Sequence, residues 1–196
     1  MAWAKLATND LSAAGVNIDN SITATKFIHW FKFTGSDGSA VGAADRVGFS
    51  TIDTGTNYAY RYSGNGGTDG TGTSRTNLAL NILSDTNVRF HVTYAINIAT
   101  EEKLFTSFSV YANTAGAATA PQRAEWATKW ANTSNQFDET RHYSDSGNNF
   151  NSGSNSTVLT GDETETVTLQ DGTIFEETDT NKAYIWSSSS QTWTQL

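Results

Sequence analysis

The chain has 196 residues, of which 37% are apolar, 12% aromatic and only 16% charged, with a formal net charge of −8 and no cysteine. That length suits one all-β domain, or one domain with a small appendage. The missing cysteines exclude disulfides and zinc–thiolate sites, and the acidic balance argues against nucleic acid or anionic lipid as the main partner.

Taken from the N-terminus, the first ten residues hold no apolar h-region, so no signal peptide is expected. No apolar run approaches the ~18 residues of a membrane-spanning helix, so no membrane insertion is expected. Residues 27–33 (FIHWFKF) form a dense apolar run, which predicts a central strand covered on both faces. Tyr58, Tyr60 and Tyr62 alternate as one strand face does. The Gly-rich stretch 64–72 has no Lys-Ser/Thr ending and no helix after it, so a mobile surface loop is preferred to a phosphate loop. Leu78, Leu80 and Ile82 alternate again. So do Val88, Phe90, Val92, Tyr94, Ile96 and Ile98, interleaved with Arg89, His91, Thr93, Ala95 and Asn97. The last case predicts a long strand whose apolar set is its buried face. Residues 104–111 read as a further strand. Trp126 and Trp130, four apart, suit a strand face or a helix turn, and strand is preferred over 124–131. Turn signals at 35–38, 63–72, 113–116 and 146–149 separate about eight strands.

This pattern predicts an all-β fold: an antiparallel two-sheet sandwich over residues 1–160, an acidic linker at 161–165 and a small C-terminal β-hairpin unit at 166–196. The terminal unit is too small to hold a core alone. It is therefore expected to dock through Phe175, Tyr184, Trp186 and Trp193, with residues 173–175 and 184–186 pairing across a polar corner.

The segment Gly172-Thr-Ile-Phe-Glu-Glu-Thr-Asp-Thr-Asn-Lys-Ala-Tyr-Ile-Trp186 resembles short terminal modules of tail and other virion proteins of bacteriophages and archaeal viruses. Residues 53–62 with 65–67, and residues 120–125 with 129–135, make the body similar to structural proteins of viruses, many marine, that have a concanavalin A-like jelly-roll fold. The resemblance implies a virion component made in the host cytoplasm: a capsid decoration, a tail or fibre protein, or a receptor-binding head. Its partners would be further copies of itself, other virion proteins and, for an attachment head, a host surface glycan. It supplies no catalytic residue.

The residues leave several chemistries to weigh. Arg123 and Glu125 lie two apart on one strand face. They read as a polar binding stripe or, preferably, as an ion pair that fixes register. Tyr60, Tyr62 and Trp126 beside Gly-rich turns could stack on sugar rings, although aromatic filling of the space between sheets is simpler. His29, His91 and His142 lie far apart and show no metal-ligand spacing. Carboxylates gather at Glu101-Glu102, Asp138-Glu139 and 162–179. Glu125 with one other could form a glycosidase pair, whereas those of 162–179, in a linker and a turn, are preferred as solvated charge. Asp69, and Asp145 beside Asn148 and Asn149, offer oxygens for calcium without a regular spacing, so no cofactor is expected. The preferred function is a non-enzymatic structural protein of a virus particle. The alternatives are a carbohydrate-binding head and, after it, a polysaccharide-cleaving enzyme.

Overall fold

The computed structural model describes residues 3–78, 86–114, 116–161, 170–177, 182–190 and 192–196. The chain divides into two compact units, Met1–Glu163 and Thr164–Leu196. The expected strand positions Leu80 and Ile82, residues 162–165 of the acidic stretch, and Val167 and Leu169 lie outside the described residues.

The first unit is an antiparallel β-sandwich. Its larger sheet has eight strands in the order β1 (Trp3–Asp10), β12 (Asn155–Gly161), β3 (Phe27–Thr34), β8 (Arg89–Ile96), β9 (Lys103–Tyr111), β10 (Gln122–Trp130), β6 (Tyr58–Gly64) and β7 (Gly70–Arg75). Its smaller sheet runs β2 (Asn17–Ser21), β11 (Glu139–Ser144), β4 (Ala43–Phe49) and β5 (Thr51–Ile52). The chain passes repeatedly from one sheet to the other. No helix occurs among the described residues, so none there is long and apolar enough to cross a membrane.

The space between the sheets is filled by aromatic and aliphatic side chains at one end. Ile28, Trp30, Phe105, Trp130 and Val158 of the large sheet meet Val47 of the small one, with Phe137 from the adjoining loop. Tyr58 closes this cluster. Its hydroxyl donates to the Val47 carbonyl (2.7 Å) and also lies 2.9 Å from the Asp53 carbonyl, while Trp130 Nε1 donates to the Asp53 carboxylate (2.6 Å). Burial raises the Asp53 pKa. The hydrogen bonds from Trp130, Asn57 and the Gly55 amide, with the charge of Arg46, outweigh burial and hold it below its ordinary value.

Three expectations are corrected. The stretch 64–72 is not simply a loop, because β6 and β7 pair as a hairpin across it. Gly70 and Gly72 stand opposite Tyr62 and Tyr60, and the rings lie against them. A Cβ at Gly70 would come within 2.3 Å of the Tyr62 ring, and one at Gly72 within 2.5 Å of the Tyr60 ring. Strand β3 is central in its sheet but covered on one face only. Ile28, Trp30 and Lys32 are buried, whereas Phe27 and Phe33 are exposed. In β8 the apolar set is the outer one. Arg89, His91, Thr93 and Ala95 are buried, while Phe90, Tyr94 and Ile96 are exposed and Val92 is half-buried. The inward polar groups find partners within the sandwich: Arg89 donates to the Val41 carbonyl, His91 bonds Ser109 and Thr93 bonds Lys32 and Ser107. The 124–131 stretch is strand, as preferred, with Trp126 and Trp130 on one buried face.

The second unit is a three-stranded antiparallel meander of β13 (Ile174–Glu177), β14 (Lys182–Ser187) and β15 (Thr192–Gln195). Gly172 begins it at φ +84°, a left-handed turn conformation that glycine adopts without steric cost. Asp171 fixes the same corner by accepting hydrogen bonds from the amide (2.8 Å) and hydroxyl (3.1 Å) of Ser188.

Candidate functional site

The outer face of the large sheet is built by alternation. Along a strand, successive side chains point to opposite sides, so four neighbouring strands each contribute every second residue. β3 presents Phe27, His29, Phe31 and Phe33. β8 presents Phe90, Val92, Tyr94 and Ile96. β9 presents Leu104, Thr106, Phe108 and Val110. β12 adds Leu159 beside His29. These side chains are not sunk into a crowded layer: Phe90 is 47% exposed, Leu104 55% and Phe108 48%. At the β1 edge, Trp3 packs edge-on against His29, and Tyr94 meets the other side of the same ring. Desolvation by these neighbours lowers the His29 pKa.

The polar rim of this face lies on β10 and β6, and its cations are matched by carboxylates. Arg123 pairs with Glu125 (2.9 Å), Lys129 with Glu102 (2.7 Å) and Arg61 with Asp69 (3.1 Å). Small side chains sit between them, leaving shallow troughs. One of about 430 Å³ is floored by Ala59, Thr71, Thr73 and Ala127 and walled by Leu104 and Lys129. Another of about 420 Å³ lies between Phe27, Tyr94, Ile96 and Leu104. The outer face of the small sheet is the opposite in kind. There Arg141 grips Asp19 with two hydrogen bonds of 2.7 Å, and Arg46 lies over the Tyr143 ring.

The inner face of the large sheet carries a polar seam. Lys32, on β3, forms a buried ion pair with Asp45 of β4 and donates to Thr93 Oγ1 (3.0 Å), which contacts Ser107 Oγ (3.0 Å). His142 donates from Nδ1 to the other Asp45 oxygen (2.6 Å). His91 is hydrogen-bonded through Nδ1 to Ser109 (2.8 Å), and its ring lies 5.4 Å from that of His142. Burial lowers the pKa of both imidazoles. For His91 the neighbouring His142, Lys32 and Arg89 push the same way; for His142 the Asp45 carboxylate opposes burial without overcoming it. Both rings are therefore neutral at pH 7. Lys103 is satisfied differently, by the carbonyls of Ala99, Glu101 and Asn132 at 2.6–3.1 Å. The seam holds polar groups in the layer where a sandwich ordinarily keeps apolar ones.

The residues singled out in the sequence fall into three places. Tyr60, Tyr62 and Trp126 gather on the inner side of β6 and β10, with Tyr62 stacked on Trp126 at 4.5 Å and Tyr60 edge-on to it at 5.2 Å. Their ring faces are occupied by one another and by Gly70 and Gly72. Arg123 and Glu125 stand on the outer side of β10, so the five do not form one site. Their ion pair forms within β10 itself, so it does not bear on the register between strands. In the terminal meander, Phe175 pairs across from Tyr184 and Trp186 across from Trp193. The four rings share one side, with Phe175 and Trp193 at 6.1 Å and Trp186 and Trp193 at 5.4 Å. Of the calcium candidates, Asp69 is engaged with Arg61, and Asn148 donates to the Ala40 carbonyl.

Sequence reasoning missed the outer face and the polar seam. The available signal was the phase of Lys32, Arg89, His91 and Lys103, which all fall on the same side of adjacent strands. No family model, no curated protein and no solved structure matches this chain.

Proposed function

We propose that this protein is a non-catalytic structural component of a virus particle that works by protein–protein assembly, with the outer face of its large sheet as the assembling surface. One observation carries the reading. Three adjacent strands of the large sheet, β3, β8 and β9, turn Phe27, Phe33, Phe90, Tyr94, Leu104 and Phe108 outward, while Lys32, Arg89, His91 and Lys103 of the same strands lie within. Exposed apolar patches beyond a few hundred Å² mark sites of association. The resemblance of the body and the terminal meander to virion proteins supplies the kind of assembly. The aromatic side of the meander, with Phe175, Tyr184, Trp186 and Trp193, adds a second and smaller docking surface in this reading. The experiment is quantitative mass spectrometry of purified particles from the source virus. Stoichiometric presence of the chain is expected; its absence from intact particles overturns the reading.

A second reading, a carbohydrate-recognition head, is favoured by one feature. A trough of about 250 Å³ places Arg61, Asp69 and Glu125 beside Phe108. Charged hydrogen-bonding groups next to an aromatic ring are the recognition chemistry of a sugar. A glycan screen tests it, and binding lost on Glu125→Ala would replace the assembly reading at that trough.

A further inference from the structure

We infer that the outer face of the large sheet pairs with the same face of a second copy of this chain, giving a two-fold dimer whose two large sheets stack on each other. The inference rests on the reading of that face as an assembly surface. What it adds is the partner.

Area is the first argument. Eight outward side chains of β3, β8 and β9, among them Phe27, Phe33, Phe90 and Phe108, are each between 37% and 55% exposed. At about 150–250 Å² per aromatic side chain, they leave on the order of 700 Å² uncovered. That exceeds the largest patch of a typical monomer, about 300–600 Å². It approaches the roughly 800 Å² that each partner contributes to a stable interface, before the half-buried Phe31, Val92 and Leu159 are counted.

Charge is the second. The chain carries a net −8, so two copies repel across most orientations. On this face Arg61, Arg123 and Lys129 are each paired with a carboxylate, and the exposed Lys5 and Asp10 of β1 add one charge of each sign at its edge. The face is thus electrically neutral and offers nothing to an anionic lipid, a nucleic acid or a strongly basic partner. Its own copy is the partner for which a neutral apolar centre with a rim of both signs is self-complementary.

Relief is the third. An isologous interface must hold both knobs and holes on one patch. The ring of Phe108 stands as a knob near the middle of the face and that of Phe90 at one end of it, while the trough between Phe27 and Leu104 lies at the other end and the trough over Ala59 and Ala127 to one side. Sheets stacked face to face at about 10 Å interdigitate such side chains.

The test is sedimentation of the full chain over a wide concentration range, with two variants. Phe90→Glu with Phe108→Glu places four carboxylates in the interface of a dimer. Thr106→Arg adds a charge at an already exposed position in its middle and carries the test if the double variant fails to fold. The expected wild-type species has twice the 21.2 kDa chain mass. Each folded variant should dissociate at concentrations on the order of a hundredfold higher, or be monomeric throughout, with an unchanged β spectrum. A monomeric wild type at high concentration overturns self-pairing, as does a dimer that Thr106→Arg leaves intact. Incorporation of Thr106→Arg into particles separates the two claims. If the wild type is monomeric and the variant is excluded from particles, the face serves a different virion protein and the assembly reading stands. If the variant is incorporated normally, the assembly reading falls, and self-pairing stands or falls by the sedimentation result alone.

Discussion

Asp45 holds the interior of the sandwich together electrostatically. It is fully buried on β4 and receives both the Lys32 ammonium and the His142 Nδ1 proton. Truncating one partner of a buried pair strands the other charge, at a cost of about 3–5 kcal/mol. Asp45→Ala should therefore lower stability by about that amount in denaturant unfolding. Adding Lys32→Met should recover much of the loss, because the stranded ammonium is gone. The imidazoles of His91 and His142 give a second outcome at this scale. Their folded pKa values lie below the ordinary 6.5, so the unfolded chain binds protons first as pH falls. The stability they contribute is complete above about pH 6.5 and is lost progressively below it, at up to about 1.4 kcal/mol per pH unit for each ring. Thermal unfolding between pH 7.5 and pH 5 should show the midpoint falling, and His91→Gln should reduce the slope. A flat profile over that interval would mean that folding does not depress the pKa values of these rings.

The strands were legible from alternation, and the turns between them from Gly, Asn and Ser clusters. Which side of a strand faces inward was not. Period 2 divides 89–96 into two sets and says nothing about which set meets the other sheet. Phe90, Val92, Tyr94 and Ile96 read as the buried set by hydrophobicity, yet Arg89, His91 and Thr93 are inside, where Arg89 donates to the Val41 carbonyl and the His91 ring lies 5.4 Å from that of His142. That information lies some fifty residues away on the chain, beyond any local window. The same limit applies to Tyr60, Tyr62, Arg123, Glu125 and Trp126: proximity in sequence suggested one site, and the pleat sends them to two sides. The terminal meander was more readable. Its four aromatics pair on one side because adjacent antiparallel strands align them directly, a local consequence of the turns. Every residue of the three apolar clusters belongs to the first unit. Truncation after Gly161 should accordingly leave the sandwich folded, with circular dichroism and cooperative unfolding retained. Trp186→Ala with Trp193→Ala should weaken incorporation into particles without changing the sandwich. An insoluble truncated chain would make the meander part of the main core instead.

At the scale of the molecule, the middle of the large sheet is unusual: β3, β8 and β9 keep Lys32, Arg89, His91 and Lys103 within and leave Phe27, Phe33, Phe90, Tyr94 and Phe108 exposed. Burying a large apolar side chain is worth about 1.5–3 kcal/mol, so an exposed set of this size is a source of association free energy rather than of folding. The central claim is that this face is covered when the protein works. Hydroxyl-radical footprinting of the full wild-type chain tests it most directly, with protein concentration varied. Phe49, exposed on β4, serves as an internal reference. Modification of Phe90, Leu104 and Phe108 should fall severalfold as concentration rises, while that of Phe49 stays constant. Equal modification of all four side chains at every concentration, and again in assembled particles, would contradict the account.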